Sequence, residues 1–210
     1  MIFLEILLEG DSDVPAIRNI LERRFNLTEG ENFRLHPHRG KGRLPSNPLS
    51  RPDPSQRGLL DQLPAKLRGY HYLPEGYCVV VLVDADRDDC RTLKRELVEL
   101  YAALPAKPSC VLFRIAVEET ESWFLADGEA IRNAYPRARL NRLPNQPDIV
   151  IGAWEKLAEV LGKKPQECYG ADKIEWATNI SPELALISPR SPSLRAFVNG
   201  IDGLVRRHDP

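Results

Sequence analysis

The chain has 210 residues, of which 42% are hydrophobic and 28% charged. That reads as one soluble globular domain, or one domain with an appendage, and excludes a disordered or fibrous chain. With 29 basic and 30 acidic residues the formal charge is −1, so no overall cationic field draws it to nucleic acid or to a membrane.

No apolar run approaches the length of a membrane span, and residues 1–8 carry Glu5 and no basic flank, unlike a signal peptide. Cys78, Cys90, Cys110 and Cys168 lack the short paired spacing of a zinc site or a secreted disulfide framework. Cys78 and Cys110 lie in apolar runs and read as small core residues. The expectation is a cytoplasmic protein without a membrane partner.

In chain order, residues 1–8 read as a buried strand. Residues 14–25 place Val14, Ile17, Ile20, Leu21 and Phe25 on one helical face, with Ser12 as the expected N-cap and Pro15 in the first turn. Residues 33–36 read as a short strand, and 56–67 as a helix whose end Pro64 disturbs. Residues 77–83 (YCVVVLV) are the clearest strand, a β-branched run that needs cover on both faces. A helix over 89–103 carries Leu93, Leu97 and Leu100 on one side, with Asp88 or Asp89 as its cap. Residues 110–117 (CVLFRIAV) form another strand, and 119–127 open a helix in which Trp123, Phe124 and Leu125 read as core. After Tyr135 the chain turns Pro- and Asn-rich. Two weaker helical patterns follow, at 149–161 and 193–207, with Trp154 and Trp176 expected to seal them onto the sheet.

Strands alternating with helices predict an α/β fold: an open, mostly parallel sheet with helices on both faces. The core spans residues 1–135, with a small C-terminal helical appendage over 136–210. Within the core, residues 36–68 hold six prolines, and over 34–68 there are eight Lys or Arg against two acids. This basic insertion reads either as a solvated linker or as a mobile loop that contacts phosphates, with Arg39, Lys41, Arg43, Arg51 and Arg57 as its candidate contacts. His36 and His38 read as solvated loop residues.

The chemistry lies in where the carboxylates fall. Glu9-Gly10-Asp11-Ser12-Asp13 follows the first strand, Asp84-Ala85-Asp86 the strongest strand, and Glu118, Glu119 and Glu121 the third. In an open parallel sheet, ligands bind beyond the carboxyl ends of the strands. Three acidic clusters at three such ends converge, and crowded carboxylates suit hard divalent cations. Asp84 and Asp86, two apart at a strand end, are expected on one side of one metal. Glu118 and Glu121, three apart, share a face if the helix has begun. Each acid alone has a plainer role as a helix cap or as a partner of the helix dipole.

With these residues in view, Glu9-Gly10-Asp11-Ser12-Asp13 followed by Asp84-Ala85-Asp86 and a later Glu resembles the Toprim fold, in the EGxSD form of OLD-type nucleases. Residues 114–118 running into 121–127, with Lys173 and Ser191-Pro192-Ser193, resemble a branch of Toprim-like proteins often encoded beside ATPases in bacterial defence or mobile loci. The resemblance implies a Mg²⁺- or Mn²⁺-dependent nuclease acting on DNA or RNA. Glu9 would be general base or metal ligand, and Asp84 and Asp86 would hold Mg²⁺. Asp13 and Glu121 would complete a second metal position with Glu118 nearby, and Lys173 would offset charge on the phosphorus centre or leaving group. The chain has no G-x-x-x-x-G-K-[ST] segment, so ATP would need a separate ATPase partner. Two alternatives stay open: a non-catalytic or partner-dependent Toprim sensor or binding module, and a phosphatase-like phosphoryl-transfer enzyme using an aspartyl-phosphate at the Asp-x-Asp.

Overall fold

The β-branched run near residue 80 becomes the centre of the sheet, because both of its faces are apolar and both must be covered. The computed structural model describes residues 2–208. Its strands are β1 (Phe3–Leu8), β2 (Phe33–Pro37), β3 (Tyr77–Asp84) and β4 (Val111–Ala116). They form one sheet in the order β2-β1-β3-β4, and each adjacent pair is parallel. Met1, part of the expected first strand, lies outside the described residues.

Side chains alternate across this sheet with the period of two that a pleated strand imposes. Leu4, Ile6 and Leu8 of β1 join Cys78, Val80 and Leu82 of β3 against Ile17, Ile20 and Leu21 of α1 (Val14–Phe25). Leu7, Val79, Val81 and Val83 face the other way, onto α2 (Leu59–Gly69) and α3 (Cys90–Ala103). The remaining helices are α4 (Glu121–Leu125), α5 (Gly128–Ala134), α6 (Ala153–Val160), α7 (Gly170–Ile180) and α8 (Pro192–His208). Trp123, Phe124, Leu157, Trp176 and Phe197 from these elements enter the same apolar cluster as α1. Ser191 closes the first turn of α8 by accepting the Leu194 N–H (3.1 Å), and Trp123 Nε1 donates to Ser193 Oγ (2.9 Å).

Several local expectations change. Asp13, not Ser12, takes the N-cap position of α1, and its carboxylate makes no capping bond to that helix. Asp89 caps α3 by accepting the Thr92 N–H (2.8 Å). Pro64 sits inside α2, which runs on to Gly69 because Leu63 and Leu67 on either side of it are buried against the sheet. Cys78 and Cys110 are not separate core thiols but a disulfide: β3 and the start of β4 are neighbours, which brings the two Cα atoms to 4.6 Å. Helix α7 carries no sequence signal of its own, since only Trp176, Ala177 and Ile180 of its eleven residues are buried.

The basic insertion is tied down at its root. The Asp61 carboxylate accepts the Arg43 N–H (2.9 Å) and the Gly58 N–H (3.1 Å), and the Arg68 guanidinium donates to the Pro48 carbonyl. Gly42 has φ 68°, and a Cβ there would meet Asp61 Oδ2 at 2.3 Å, so both the backbone angle and the space demand glycine. His36 is not a loop residue; it lies within β2 and pairs with the buried Glu5 (2.5 Å).

Candidate functional site

The strand order places the site before any side chain is considered. From β1 the chain moves outward to β2, then returns past β1 to β3 and on to β4. The direction therefore reverses between β1 and β3, and a crevice opens at their carboxyl ends. Glu9 follows β1 and Asp84 ends β3. The Asp84 N–H donates to Glu9 Oε1 across that crevice (2.8 Å).

Two clusters flank this pair, each organised by one lysine. On one side, Asp13 Oδ1 accepts from Thr120 Oγ1 (2.9 Å) and Asp13 Oδ2 from the Gly10 N–H (3.2 Å). Thr120 precedes α4, whose first residue, Glu121, is 3% exposed. Lys173 of α7 reaches Glu121 Oε1 at 2.9 Å and Glu119 Oε1 at 3.9 Å, with its Nζ 6.0 Å from the Trp154 ring centre. Glu119 Oε2 accepts the Trp154 N–H (2.9 Å). Glu121 Oε2 is buried and has no hydrogen-bond partner.

On the other side stands Lys41, from the basic insertion. Its Nζ donates to the Ala85 carbonyl (2.8 Å) and pairs with Asp86 (3.2 Å) and Asp88 (2.7 Å). The insertion is delivered there by a backbone bond from the Gly40 N–H to the Glu9 carbonyl (2.8 Å).

The crowding shows in the proton affinities. Burial pushes the Glu9 carboxyl up to about 8, with Asp86 and Asp13 adding repulsion that the Asp84 amide bond only partly offsets. Asp13 is raised to about 6 by burial and by Glu121. Glu119 is raised to about 7 by burial and by Glu121. Asp84 is held well above the usual carboxylate range by burial and by Asp13, Glu9, Glu121 and Glu119. Burial works against the charge of Lys173, but Glu121 and Glu119 override it and hold the ammonium above its ordinary value. Lys41 is raised too, with Asp88 and Asp86 outweighing burial. Without a further cation, the site is an overloaded set of acids with two lysines as counter-charge.

The structure brings Glu9, Asp13, Asp84 and Glu121 together with Lys173. It does not bring Asp84 and Asp86 to one point. The strand ends at Asp84, and Asp86 lies in a left-handed turn (φ 50°), exposed and held by Lys41. Glu118 also departs from expectation: α4 starts at Glu121, and Glu118, with φ 63°, shares no helical face with it. The Glu118 carbonyl instead accepts the Asp86 N–H (2.9 Å), and its carboxyl is raised by burial and by Asp86. Glu119 takes the position expected of Glu118; the signal was the triple acid at 118, 119 and 121. Lys41 was expected as a phosphate contact and is instead engaged by Asp86 and Asp88. Arg39, Arg43, Arg51 and Arg57 are exposed on the insertion, and among the described residues none of them forms an ion pair.

Among the described residues, no three His, Cys, Asp or Glu side chains converge closely enough to cage a metal ion by themselves. The donor chemistry nonetheless fits a hard divalent cation: Glu9, Asp13, Asp84 and Glu121 offer only carboxylate oxygens, and Glu121 Oε2 is a buried acceptor with nothing to accept from.

A family model described as "Domain of unknown function (DUF4276)" matches residues 8–202. No curated protein matches the chain. Among solved structures, two of the C-terminal region of the OLD protein of Xanthomonas campestris pv. campestris align over 98% of this chain. The one phased with mercury is covered over 98% at 17% identity and TM-score 0.48, and the one phased with iodine over 97% at 19% identity and TM-score 0.46. No helix among the described residues is long and apolar enough to cross a membrane.

Proposed function

The chain belongs to the DUF4276 family, and we propose that it is a Toprim-type nuclease that hydrolyses phosphodiesters of DNA or RNA with Mg²⁺ or Mn²⁺. The observation that carries the reading is the Glu9–Asp84 pair at the reversal point of a parallel sheet, flanked by Asp13 and by Glu121, whose buried Oε2 has no hydrogen-bond partner. The Glu-Gly-x-Ser-Asp and Asp-x-Asp motifs fall at those strand ends, as the resemblance to OLD-type nucleases implies.

Glu9, Asp13, Asp84 and Glu121 are the carboxylates that would have to close on the metal to hold it. When bound, it supplies the positive charge that lets a phosphodiester approach an acidic site and lowers the pKa of a water in its shell. The chain's own groups do the rest. Glu9 Oε1 is engaged by the Asp84 amide, which leaves Oε2 to face the metal or to take a proton from the attacking water. Lys173, buried beside Glu121 and kept charged, places a fixed ammonium next to the acids, where negative charge develops on phosphate oxygens. The unpaired arginines of the insertion, Arg39, Arg43, Arg51 and Arg57, would hold flanking backbone without reading sequence.

An aspartyl-phosphate mechanism is less well served, because Asp86 lies exposed in a left-handed turn and is paired with Lys41. A separate ATPase is the proposed partner, since the chain itself has no G-x-x-x-x-G-K-[ST] segment.

The test is cleavage of end-labelled DNA and RNA by the purified protein. Products should form with Mg²⁺ or Mn²⁺, disappear in EDTA, and be absent for Asp84→Asn of unchanged fold. Cleavage that persists in EDTA or in Asp84→Asn would overturn the reading.

A further inference from the structure

Eight large apolar side chains are exposed among the described residues, and four of them, Ile149, Ile151, Tyr169 and Ile174, fall in the two segments that bring Trp154 and Lys173 to Glu119 and Glu121. Ile149 and Ile151 are 69% and 74% exposed. They project from a short arch pinned at both feet. At one foot Asp148, buried, accepts the Ser193 N–H (2.9 Å). At the other, the Gly152 backbone bonds to Glu118 and the Trp154 N–H donates to Glu119 (2.9 Å). Gly152 has φ 73°, which lets the arch turn sharply into α6.

An arch held at both ends whose tip carries two branched alkyl groups into water gains nothing in folding from that exposure, since burying them would stabilise the protein. One foot rests on Glu118 and on Glu119, whose Oε1 is 3.9 Å from Lys173, so whatever touches the tip lies beside the acidic end of the sheet. For a phosphodiester, the neighbouring apolar surface is a nucleobase. Isoleucine is among the residues that proteins insert between base steps, at the cost of unstacking them. That cost is lowest where bases are already unpaired.

We propose that Ile149 and Ile151 form a wedge that takes a base next to the scissile phosphate, and that the substrate class is nucleic acid with unpaired bases at the cleavage point. The inference rests on the nuclease reading for its ligand and deepens it.

Two readouts separate the two claims. Affinity is measured by fluorescence anisotropy with Ca²⁺ present, for a labelled single-stranded oligonucleotide and for the same sequence as a blunt duplex. Cleavage is measured separately with Mn²⁺. The wild type should bind the single strand about tenfold more tightly than the duplex. Ile149→Ser/Ile151→Ser should lose that preference. Ile187→Ser, at a still more exposed isoleucine (90%) near Arg23 and Arg24 at the far end of α1, should keep it. Equal wild-type affinity for the two oligonucleotides, or a preference that survives in the double variant, overturns the wedge and leaves the arch to a protein partner. A preference that depends on both isoleucines without any cleavage in Mn²⁺ supports base contact and overturns only the nuclease reading.

Discussion

The Lys173 ammonium lies 2.9 Å from Glu121 Oε1, although the two residues are 52 positions apart and lie on helices that meet only in the folded protein. Glu121 is nearly inaccessible, and among the described residues Lys173 is its only ion-pair partner. Removing one member of a buried pair leaves the other charge uncompensated, which costs more than the pair contributes. Lys173→Met should lower Mn²⁺-dependent cleavage by roughly 10²–10³-fold. Chemical denaturation should also show the metal-free protein weakened, and Lys173→Arg should recover stability better than activity.

Asp84 is at odds with its surroundings, with Asp13, Glu9, Glu121 and Glu119 all raising its proton affinity. Asp84→Asn keeps the shape and removes one repelling charge. The metal-free variant should therefore melt higher than wild type, by roughly 2–4 °C for each kcal/mol relieved in a chain of this size. Adding Mg²⁺ should stabilise the wild type and leave the variant nearly unmoved. Scanning calorimetry with and without metal checks both.

The pH dependence has a definite sign. Glu9, Glu119 and Asp13 have folded-state values of about 8, about 7 and about 6, all above their ordinary values. Between those limits the native state binds more protons than the unfolded chain, so metal-free stability rises as pH falls from about 8 towards 5. The slope is about 1.4 kcal/mol per pH unit for each extra proton held. Excess Mg²⁺ should flatten or reverse that trend, because metal and protons compete for the same oxygens. Urea unfolding in EDTA at pH 5.5, 7 and 8.5 should show rising midpoints on going down in pH.

Lys41 joins the basic insertion to the acids of the β3–α3 turn through Ala85, Asp86 and Asp88. In Lys41→Ala, the segment between Gly42 and Gly58 loses that attachment but keeps the Asp61 bonds at its root. Amide exchange should quicken over residues 43–57 and stay slow in α2, while the melting temperature changes little.

The Cys78–Cys110 disulfide closes a loop between residues 32 apart. Loop-closure entropy puts its contribution at about 3–4 kcal/mol. Reduction followed by alkylation should block two further thiols beyond Cys90 and Cys168 and lower the melting temperature, readable by intact mass and calorimetry on one sample.

Much of the fold was legible in the chain because its signals are local. A run such as Tyr77–Asp84 can only be an interior strand, and the α1 spacing of Ile17, Ile20 and Leu21 is that of a one-sided helix. The acidic rim was legible for the same reason, since the residue after each parallel strand stands at the same edge of the sheet. The errors share a cause as well. Asp86 and Glu118 were placed by extending the strand and helix periodicities, and both sit in left-handed turns where periodicity stops. Helix α7 and the Cys78–Cys110 bond depend on packing partners distant in sequence.

A parallel sheet whose carboxyl edge is lined with acids could be read from local pattern, because an interior strand is a continuous apolar run and the acids follow directly where that run stops. Which acids share a crevice, and which lysine answers each of them, was settled by how the elements pack. Coulomb interaction and desolvation depend on distances of a few ångströms between side chains that lie tens of residues apart along the chain, and no local pattern encodes those distances.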